Sequence, residues 1–242
     1  MRKLQYGLLF STVAGICSGQ AQAEYLKLYH PRVEKGELSA EADLNYDLDH
    51  RNDKDEYFSQ VLGFEYGLTN WWQTELSLEI EKEPGDHNKL TNYKWENVFA
   101  PWTPGKYWMD VGLYAELEKG AHRGDPYNFE TKLLLEKDVG KYANTANLTA
   151  AHQFGPNHEG SWETGLALQT RYRYDQKFEP GIEYYAEFGA FDDNLSFSEE
   201  THRLGPVVLG KFGRVKYDTG LLFGVSRAAP DATVKLNLEY EF

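Results

Sequence analysis

Acidic side chains recur at alternate positions along many segments of the sequence, with a few basic side chains in the same rows. The members with the strongest candidate roles are Glu75, Glu79, Glu96, Glu163, Glu183 and Glu187, together with Lys94, Arg171 and Arg173. Carboxylates gathered around a watery path raise the local concentration of cations and repel anions. If the chain folds into a barrel with these rows on its inner face, as argued below, they predict a lumen that favours small cationic or neutral polar solutes. The pair Arg171 and Arg173 is a candidate constriction facing the acidic side chains.

The same charged rows allow a second interpretation. They also contain Glu41, Asp43, Glu65, Glu81, Asp110, Glu116, Glu118, Glu130, Glu136, Asp218 and Glu239, with Lys132, Lys211, Lys216 and Lys235. If the lysines and arginines pair with neighbouring carboxylates, a network of salt bridges fills the lumen. The protein would then have a mainly structural role, and the sequence alone leaves both interpretations open.

Catalysis and metal binding find less support in the sequence. A serine hydrolase needs a serine, a histidine and an orienting group in contact, and the nearest local approach is His158 with Ser161. A lipid-modifying hydrolase is therefore kept only as a weaker alternative, and no catalytic residue is assigned. The acidic segment 192–200 lacks the ligand spacing of a calcium loop, and one cysteine, two methionines and scattered histidines do not suit copper. We expect no metal and no cofactor.

Period-two alternation of apolar and polar residues dominates the chain after Val33 and predicts an all-β fold. No segment of useful length shows a helical period. Twelve segments of about ten residues suit tilted membrane strands. We predict strands over 37–48, 57–68, 71–82, 89–100, 107–118, 127–137, 143–154, 161–174, 181–191, 203–212, 215–226 and 233–242. The alternation of short and longer links between them predicts a transmembrane antiparallel up-and-down β-barrel. The even strand count leaves both ends of the chain on the periplasmic side.

The first residues predict export. Arg2 and Lys3 precede a short apolar run, and Ala21-Gln22-Ala23 is a small-x-small cleavage site. Residues 1–23 are therefore expected to be a cleaved signal peptide, and 24–36 a short periplasmic segment or inner plug before a barrel over 37–242. The formal net charge of −13 disfavours nucleic acid as a partner, because phosphates are neutralised by lysine and arginine.

The alternation does not say which face of each strand meets water, so a soluble lipocalin-like barrel remains an alternative. The last strand ends with Leu238, Tyr240 and Phe242 on its apolar row. This ending resembles the C-terminal signature of Gram-negative outer-membrane β-barrels, which the barrel-assembly machinery reads. The resemblance implies a location in the cell outer membrane, with membrane lipids, lipopolysaccharide and small solutes as further partners.

A narrower resemblance rests on two short stretches. The segment Pro31-Arg32-Val33-Glu34-Lys35-Gly36-Glu37 resembles the opening of uncharacterised proteobacterial barrels. The run Phe64-Glu65-Tyr66-Gly67-Leu68-Thr69-Asn70 is similar to the Tyr-Gly-Leu-Thr-(Asp/Asn) turn of transporter-like barrels grouped with phenol-degradation pathway proteins. That family implies a passive or unassigned transport role, with no established catalytic residues. Related barrels for acidic sugars have basic lumens, and the acid-rich rows of this sequence differ from them.

Overall fold

The structure is a computed structural model that describes residues 26–156 and 160–242. Within these ranges the chain forms twelve strands. They are β1 (Leu38–Leu48), β2 (Phe58–Gly67), β3 (Trp72–Lys82), β4 (Lys89–Phe99), β5 (Asp110–Gly120), β6 (Tyr127–Val139), β7 (Tyr142–Phe154), β8 (Glu163–Tyr172), β9 (Glu179–Ala190), β10 (Thr201–Phe212), β11 (Val215–Gly224) and β12 (Ala232–Glu241). Among the described residues, no helix is long and apolar enough to cross a membrane. The expected signal peptide lies outside the described ranges.

Each strand pairs antiparallel with its neighbours in sequence, and β1 pairs with β12 to close the sheet into a barrel. Closure leaves no strand edge exposed. A sheet in a bilayer must be closed in this way, because lipid cannot satisfy unpaired backbone groups. The predicted all-β, antiparallel, twelve-stranded barrel is therefore confirmed. The largest shift at the start of a strand is in β5, which begins at Asp110 rather than at residue 107. Asp110 accepts a hydrogen bond from the backbone N–H of Gly105 at 2.7 Å and so closes the preceding turn.

The two faces of the wall have opposite chemistry. Leu76, Phe64 and Ile182 point outward and are 66%, 63% and 59% exposed. Glu75, Glu96 and Glu183 point inward and are 4%, 2% and 0% exposed. A soluble barrel of the lipocalin type buries its apolar row and exposes its charges. The observed arrangement is the reverse, so the wall suits a surrounding of lipid.

Aromatic side chains cluster near both ends of the barrel. At the end where β1 begins, called here the short-turn end, Trp72 stacks with Phe99 at a centroid distance of 6.1 Å. Phe212 stacks with Tyr217 at the same end at 5.7 Å. At the opposite, long-loop end, Tyr127 stacks with Phe154 at 5.5 Å. Such belts place amphipathic rings at the two membrane–water interfaces.

Candidate functional site

Five glutamates form a continuous row across the inner face of five successive strands. The row, called here the acidic row, consists of Glu65 on β2, Glu75 on β3, Glu96 on β4, Glu116 on β5 and Glu130 on β6. Each is directly opposite the next in the strand register. Like charges directly opposite each other destabilise a sheet. The acidic row therefore needs cations and hydrogen-bond donors close by.

Two buried lysines supply part of this compensation. The ammonium of Lys94 lies 3.2 Å from a carboxylate oxygen of Glu79, 3.6 Å from one of Glu118 and 4.0 Å from one of Glu116. The ammonium of Lys132 lies 2.7 Å from a carboxylate oxygen of Glu130. Buried charges persist when they are paired in this way.

Two tyrosine hydroxyls also serve the acidic row. Tyr114 donates a hydrogen bond to Glu116 at 2.6 Å. Tyr29, which precedes β1, donates to Glu96 at 2.7 Å. The two rings pack with their centroids 4.2 Å apart. Neutral donors can therefore satisfy carboxylate oxygens here without adding further charge to the lumen.

The opposite side of the lumen is apolar. Its residues, called here the apolar wall, are Ala167 on β8, Tyr185 on β9, Val207 and Leu209 on β10 and Leu222 on β11. All are buried and form one cluster with Leu26 and Leu28 from the chain before β1. The apolar wall and the two leucines fill their part of the lumen by side-chain packing.

Residues 26–36, called here the inner segment, run from the interior of the barrel, where Leu26, Leu28 and Tyr29 are buried and contact both sides of the lumen, to exposed positions at the short-turn end. Leu26 and Leu28 pack on the apolar wall. Lys27 and Tyr29 reach the carboxylates on the other side. Successive side chains of an extended chain point in opposite directions, so one short run can meet both surfaces. Of the two interpretations offered by the sequence, these contacts have the geometry of an inner plug.

Hydrogen bonds fix the inner segment in the lumen. The Asn147 side chain accepts from the backbone N–H of Tyr29 at 2.8 Å and donates to the Tyr29 carbonyl at 2.9 Å. Asn237 donates to the carbonyl of Leu26 at 3.1 Å. Because both partners are inward-facing side chains of the wall, these bonds hold the backbone of the segment rather than its side chains alone.

The inner segment meets the short-turn end before it joins β1. His30 lies 2.6 Å from Glu136 near the end of β6, and Arg32 pairs with the same carboxylate. The backbone N–H of Gly36 then donates to the Gly67 carbonyl at 2.8 Å. A side chain at Gly67 could not fit, since a Cβ there would lie 1.9 Å from a backbone oxygen of the segment.

A cavity of about 900 Å³ lies beside the inner segment and reaches the short-turn end. Its lining contains ten carboxylates against six lysines and arginines. The carboxylates are Glu34, Glu37, Glu41, Asp43, Glu65, Glu75, Glu96, Glu179, Asp218 and Glu239. This acid-rich vestibule is large enough to hold hydrated ions or a small organic solute.

A second buried cluster stands on β9, β11 and β12. The ammonium of Lys235 is 0% exposed and lies 2.6 Å from Glu183 and 2.7 Å from Asp218. It also donates to the Tyr185 hydroxyl at 3.1 Å. Gln169 donates to Glu183 at 2.6 Å and extends the network to β8. This part of the lumen is filled by paired charges.

The predicted site residues are distributed over several parts of the lumen. Glu75 and Glu96 belong to the acidic row, Glu79 and Lys94 form an ion pair beside it, and Glu183 pairs with Lys235. Glu163 and Glu187 lie on β8 and β9 near the long-loop end, where Glu187 pairs with Arg203 at 3.2 Å.

Arg171 and Arg173 lie together at the short-turn end. Arg171 is 3.5 Å from Glu179, and Arg173 is 2.7 Å from Asp138. Both line the mouth of the cavity.

The sequence interpretation missed the residues that cross the lumen. Leu26 and Leu28 contact the apolar wall, and Lys27 and Tyr29 contact carboxylates on the other side. Their strict alternation just before Pro31 was a signal that could have identified them as an extended, two-faced segment.

Of the two residues of the hydrolase candidate, Ser161 lies within the described ranges. Ser161 lies at the long-loop end and is hydrogen-bonded to Asp192, which lowers the pKa of that carboxyl. His158 lies outside the described residues.

The residues of the expected assembly signature lie on the outer face of β12. Tyr240 and Phe242 make an edge-to-face contact at 5.1 Å, and the backbone N–H of Phe242 donates to the Leu38 carbonyl at 3.0 Å. Leu238 is opposite Ala42 in the register of β1 with β12. These residues flank the closing seam, and their recognition by assembly machinery stays a prediction.

Two loops at the long-loop end are tied across the same seam. Arg51 binds Asp49 in its own loop and donates to the carbonyl of Arg227 at 2.6 Å. His50 lies 2.7 Å from Asp231. Hydrogen bonds from Arg51 hold the pKa of Asp49 well below its usual range, and those from His50 lower the pKa of Asp231.

Comparison with known proteins supports the fold and gives no family. No family model matches the sequence, and no curated protein matches it. An outer-membrane channel from Pseudomonas putida F1 has a similar structure, with a TM-score of 0.63 and 14% identity over 87% of this chain and 97% of that one. This similarity shows that the chain has the fold of an outer-membrane barrel, as the sequence resemblance predicted.

Two porin-type structures were also matched. OmpT of Vibrio cholerae aligns with a TM-score of 0.34 and 9% identity over 86% of this chain and 100% of that one. OmpF of Salmonella typhi aligns with a TM-score of 0.34 and 9% identity over 85% of this chain and 96% of that one. Scores this low do not establish a common arrangement of strands.

Proposed function

We propose that this protein is an outer-membrane channel that gives passive passage to small cationic or neutral polar solutes. The supporting observation is the cavity of about 900 Å³, whose lining holds ten carboxylates against six lysines and arginines and which reaches the short-turn end. Fixed negative charge in a narrow, low-dielectric path concentrates cations and repels anions.

In this proposal the inner segment controls the path. It occupies the middle of the lumen through Leu26, Leu28 and Tyr29, so the described arrangement corresponds to a closed or narrowed state. The signal peptide over 1–23, a location in the cell outer membrane and contact with lipids, lipopolysaccharide and the assembly machinery belong to the same proposal. They follow from the sequence patterns and from the outward apolar face.

The test is single-channel recording of the folded protein in a planar bilayer under a KCl gradient. We expect steps whose reversal potential favours K⁺ over Cl⁻. Lowering the pH from 7 to 4 should reduce this preference, because protonation removes fixed negative charge. A variant with Leu26→Ser and Leu28→Ser should conduct more than the wild type, since its inner segment loses its apolar anchors. A preference for Cl⁻, or a selectivity independent of pH, would contradict the proposal.

A structural barrel with a filled lumen is the second candidate. The complete burial of Lys235 between Glu183 and Asp218 favours it, because such pairing leaves no room for solute at that point. Silence of both the wild type and the double serine variant, in protein shown to be folded by its heat-dependent gel migration, would support this candidate instead.

A further inference from the structure

Resting on the proposed function, we infer that Glu41, Asp43, Glu65 and Glu75 form a binding site for a primary ammonium group. Lys27 fills this ammonium site while the inner segment is in place. An alkylammonium solute fills it when the segment withdraws. The inference thus names both a solute class for the channel and the way in which solute and segment exclude each other.

The carboxylates of the ammonium site converge from three strands. One oxygen from each of Glu41, Glu65 and Glu75 lies within 4.8 Å of the others. Glu65 and Glu75 are directly opposite each other on β2 and β3, and Asp43 is on β1 with Glu41. Such a concentration of negative charge is costly unless a cation is shared among its members.

Lys27 provides that cation from the chain itself. Its ammonium pairs with Glu41 and lies 3.3 Å from an oxygen of Asp43 and 3.8 Å from one of Glu75. An ammonium has three donors and can serve several carboxylates at once. The inner segment therefore carries a tethered copy of the group that the site would bind from solution.

An independent feature shows that the ammonium site has spare acceptor capacity. Oε1 of Glu75 is buried and has no hydrogen-bond partner. Gly63, opposite Ser77 on the neighbouring strand, leaves the space that this oxygen occupies, since a Cβ there would lie 2.0 Å from it. A buried acceptor without a donor costs free energy. A free ammonium can settle deeper than Lys27, whose position is limited by its backbone.

The surroundings favour an organic ammonium over a divalent metal. The ring centroid of Tyr29 lies 5.1 Å from the ammonium of Lys27, and aromatic faces attract ammonium groups. Calcium requires six to eight oxygen ligands, whereas the ammonium site offers four carboxylates, three of which already share the nitrogen cation of Lys27. All four carboxylates line the cavity that reaches the short-turn end, so a solute can approach them from there.

The test removes the tethered ammonium and supplies it from solution. Lys27→Ala deletes three methylene groups and the ammonium, which together correspond to n-propylammonium. Thermal unfolding of the full chain in detergent is followed by tryptophan fluorescence while n-propylammonium chloride is titrated. We expect a lower unfolding temperature for Lys27→Ala than for the wild type. We also expect a saturable recovery with n-propylammonium and none with 1-propanol or tetramethylammonium.

Matched variants locate the effect. Lys27→Met keeps the volume but leaves no room for the ligand, so its response should be at least about tenfold weaker in apparent affinity, a difference of about 1.4 kcal/mol. Adding Glu75→Gln to Lys27→Ala should abolish the recovery. Adding Glu37→Gln, a change at the rim, should preserve it. If Lys27→Ala does not fold alone, the yield of heat-modifiable barrel refolded with n-propylammonium replaces the unfolding temperature.

Three outcomes would overturn the inference. They are equal stabilisation of the Ala and Met variants, recovery with 1-propanol, and recovery with Ca²⁺ but not with n-propylammonium. The readout is binding and not conductance. A barrel that binds n-propylammonium but passes no current would therefore contradict the proposed channel and leave the ammonium site intact.

Discussion

The acidic row and the apolar wall face each other across one lumen but are stabilised by different forces. The acidic row places five carboxylates side by side and depends on Lys94, Lys132 and two tyrosine hydroxyls. The apolar wall is a packed cluster of apolar side chains, whose one polar side-chain group, the Tyr185 hydroxyl, accepts a hydrogen bond from the paired ammonium of Lys235. The acidic row is held by directed partners, whereas the apolar wall depends on the total surface buried.

The inner segment joins these two regions, and the difference indicates how it can move. Leu26 and Leu28 gain from burial in any approximate position on the apolar wall. Lys27 and Tyr29 need particular oxygen atoms on the other side. In the inferred exchange, a solute that competes for those oxygens displaces Lys27 from them.

The largest effect is expected from a substitution that disturbs the charge balance of the acidic row. Lys94→Ala should lower the free energy of unfolding by about 3–5 kcal/mol, because it leaves buried carboxylates without their ammonium. Urea unfolding of the folded barrel in lipid vesicles, followed by tryptophan fluorescence, measures the change. Lys106→Ala, in an exposed turn, is the control and should cost nothing measurable. A loss below about 1 kcal/mol would mean that the acidic row does not depend on directed pairing.

The next effect concerns packing on the apolar wall. Leu222→Ala should cost about 2–5 kcal/mol in the same unfolding experiment, since it opens a cavity behind a fully buried side chain. The neighbouring Leu221, which faces outward and is partly exposed, provides the control. Leu221→Ala should cost clearly less in lipid vesicles. Equal losses at the two positions would show that the inner packing is loose.

A smaller effect is expected where the inner segment packs on the apolar wall. Leu28→Ala should weaken docking of the segment by about 1–3 kcal/mol, the value of the apolar surface it uncovers. Hydrogen exchange at the backbone amides of residues 26–30 should accelerate, while exchange in the strands stays unchanged. Leu38→Ala, on the outer face of β1, should leave those amides protected. Faster exchange throughout the strands would instead mean that the segment is part of the barrel's cooperative core.

The smallest effect lies outside both regions, in the loops that bridge β1 and β12. Because Arg51 depresses the pKa of Asp49, this contact stabilises the loops above the ordinary carboxyl pKa and is lost only as the pH falls through the lower folded value. Loop protection measured by hydrogen exchange should persist at pH 4 and decline below it. Asp49→Asn should remove this pH dependence, whereas Asp53→Asn in the same loop should leave it unchanged. Protection that falls in parallel in both variants would contradict this role.

The fold was predictable because the sequence of each strand alternates between apolar and polar residues. Alternation from Thr233 to Phe242, for example, defines a strand with one apolar face, and β12 spans 232–241. A membrane barrel repeats this pattern locally, so the strand count and chain order follow without knowledge of distant contacts. The sequence did not show which row of side chains faces outward. That was established by the exposure of side chains such as Leu76 and Phe64 in the structure.

The candidate site was only partly predictable, because its contacts join residues far apart in sequence. The inward position of Glu75 and Glu96 follows from period two within β3 and β4. That Tyr29 bonds to Glu96, 67 positions away, depends on where the inner segment enters the lumen. Similarly, the ends of β8 and β9 determine that Arg171 meets Glu179 at the rim. Alternation within a strand does not show at what level along the barrel axis a side chain meets a partner from another strand.

The position of the inner segment has a consequence for the order of folding events. Its backbone bonds to Asn147 and Asn237, partners 118 and 211 positions later in the chain. The surface on which it docks does not exist until β7 and β12 have joined the sheet. Contacts of such long sequence separation form late and slowly. Docking of residues 26–29 should therefore follow or accompany closure of the seam, as a final slow phase that reports when the barrel is complete.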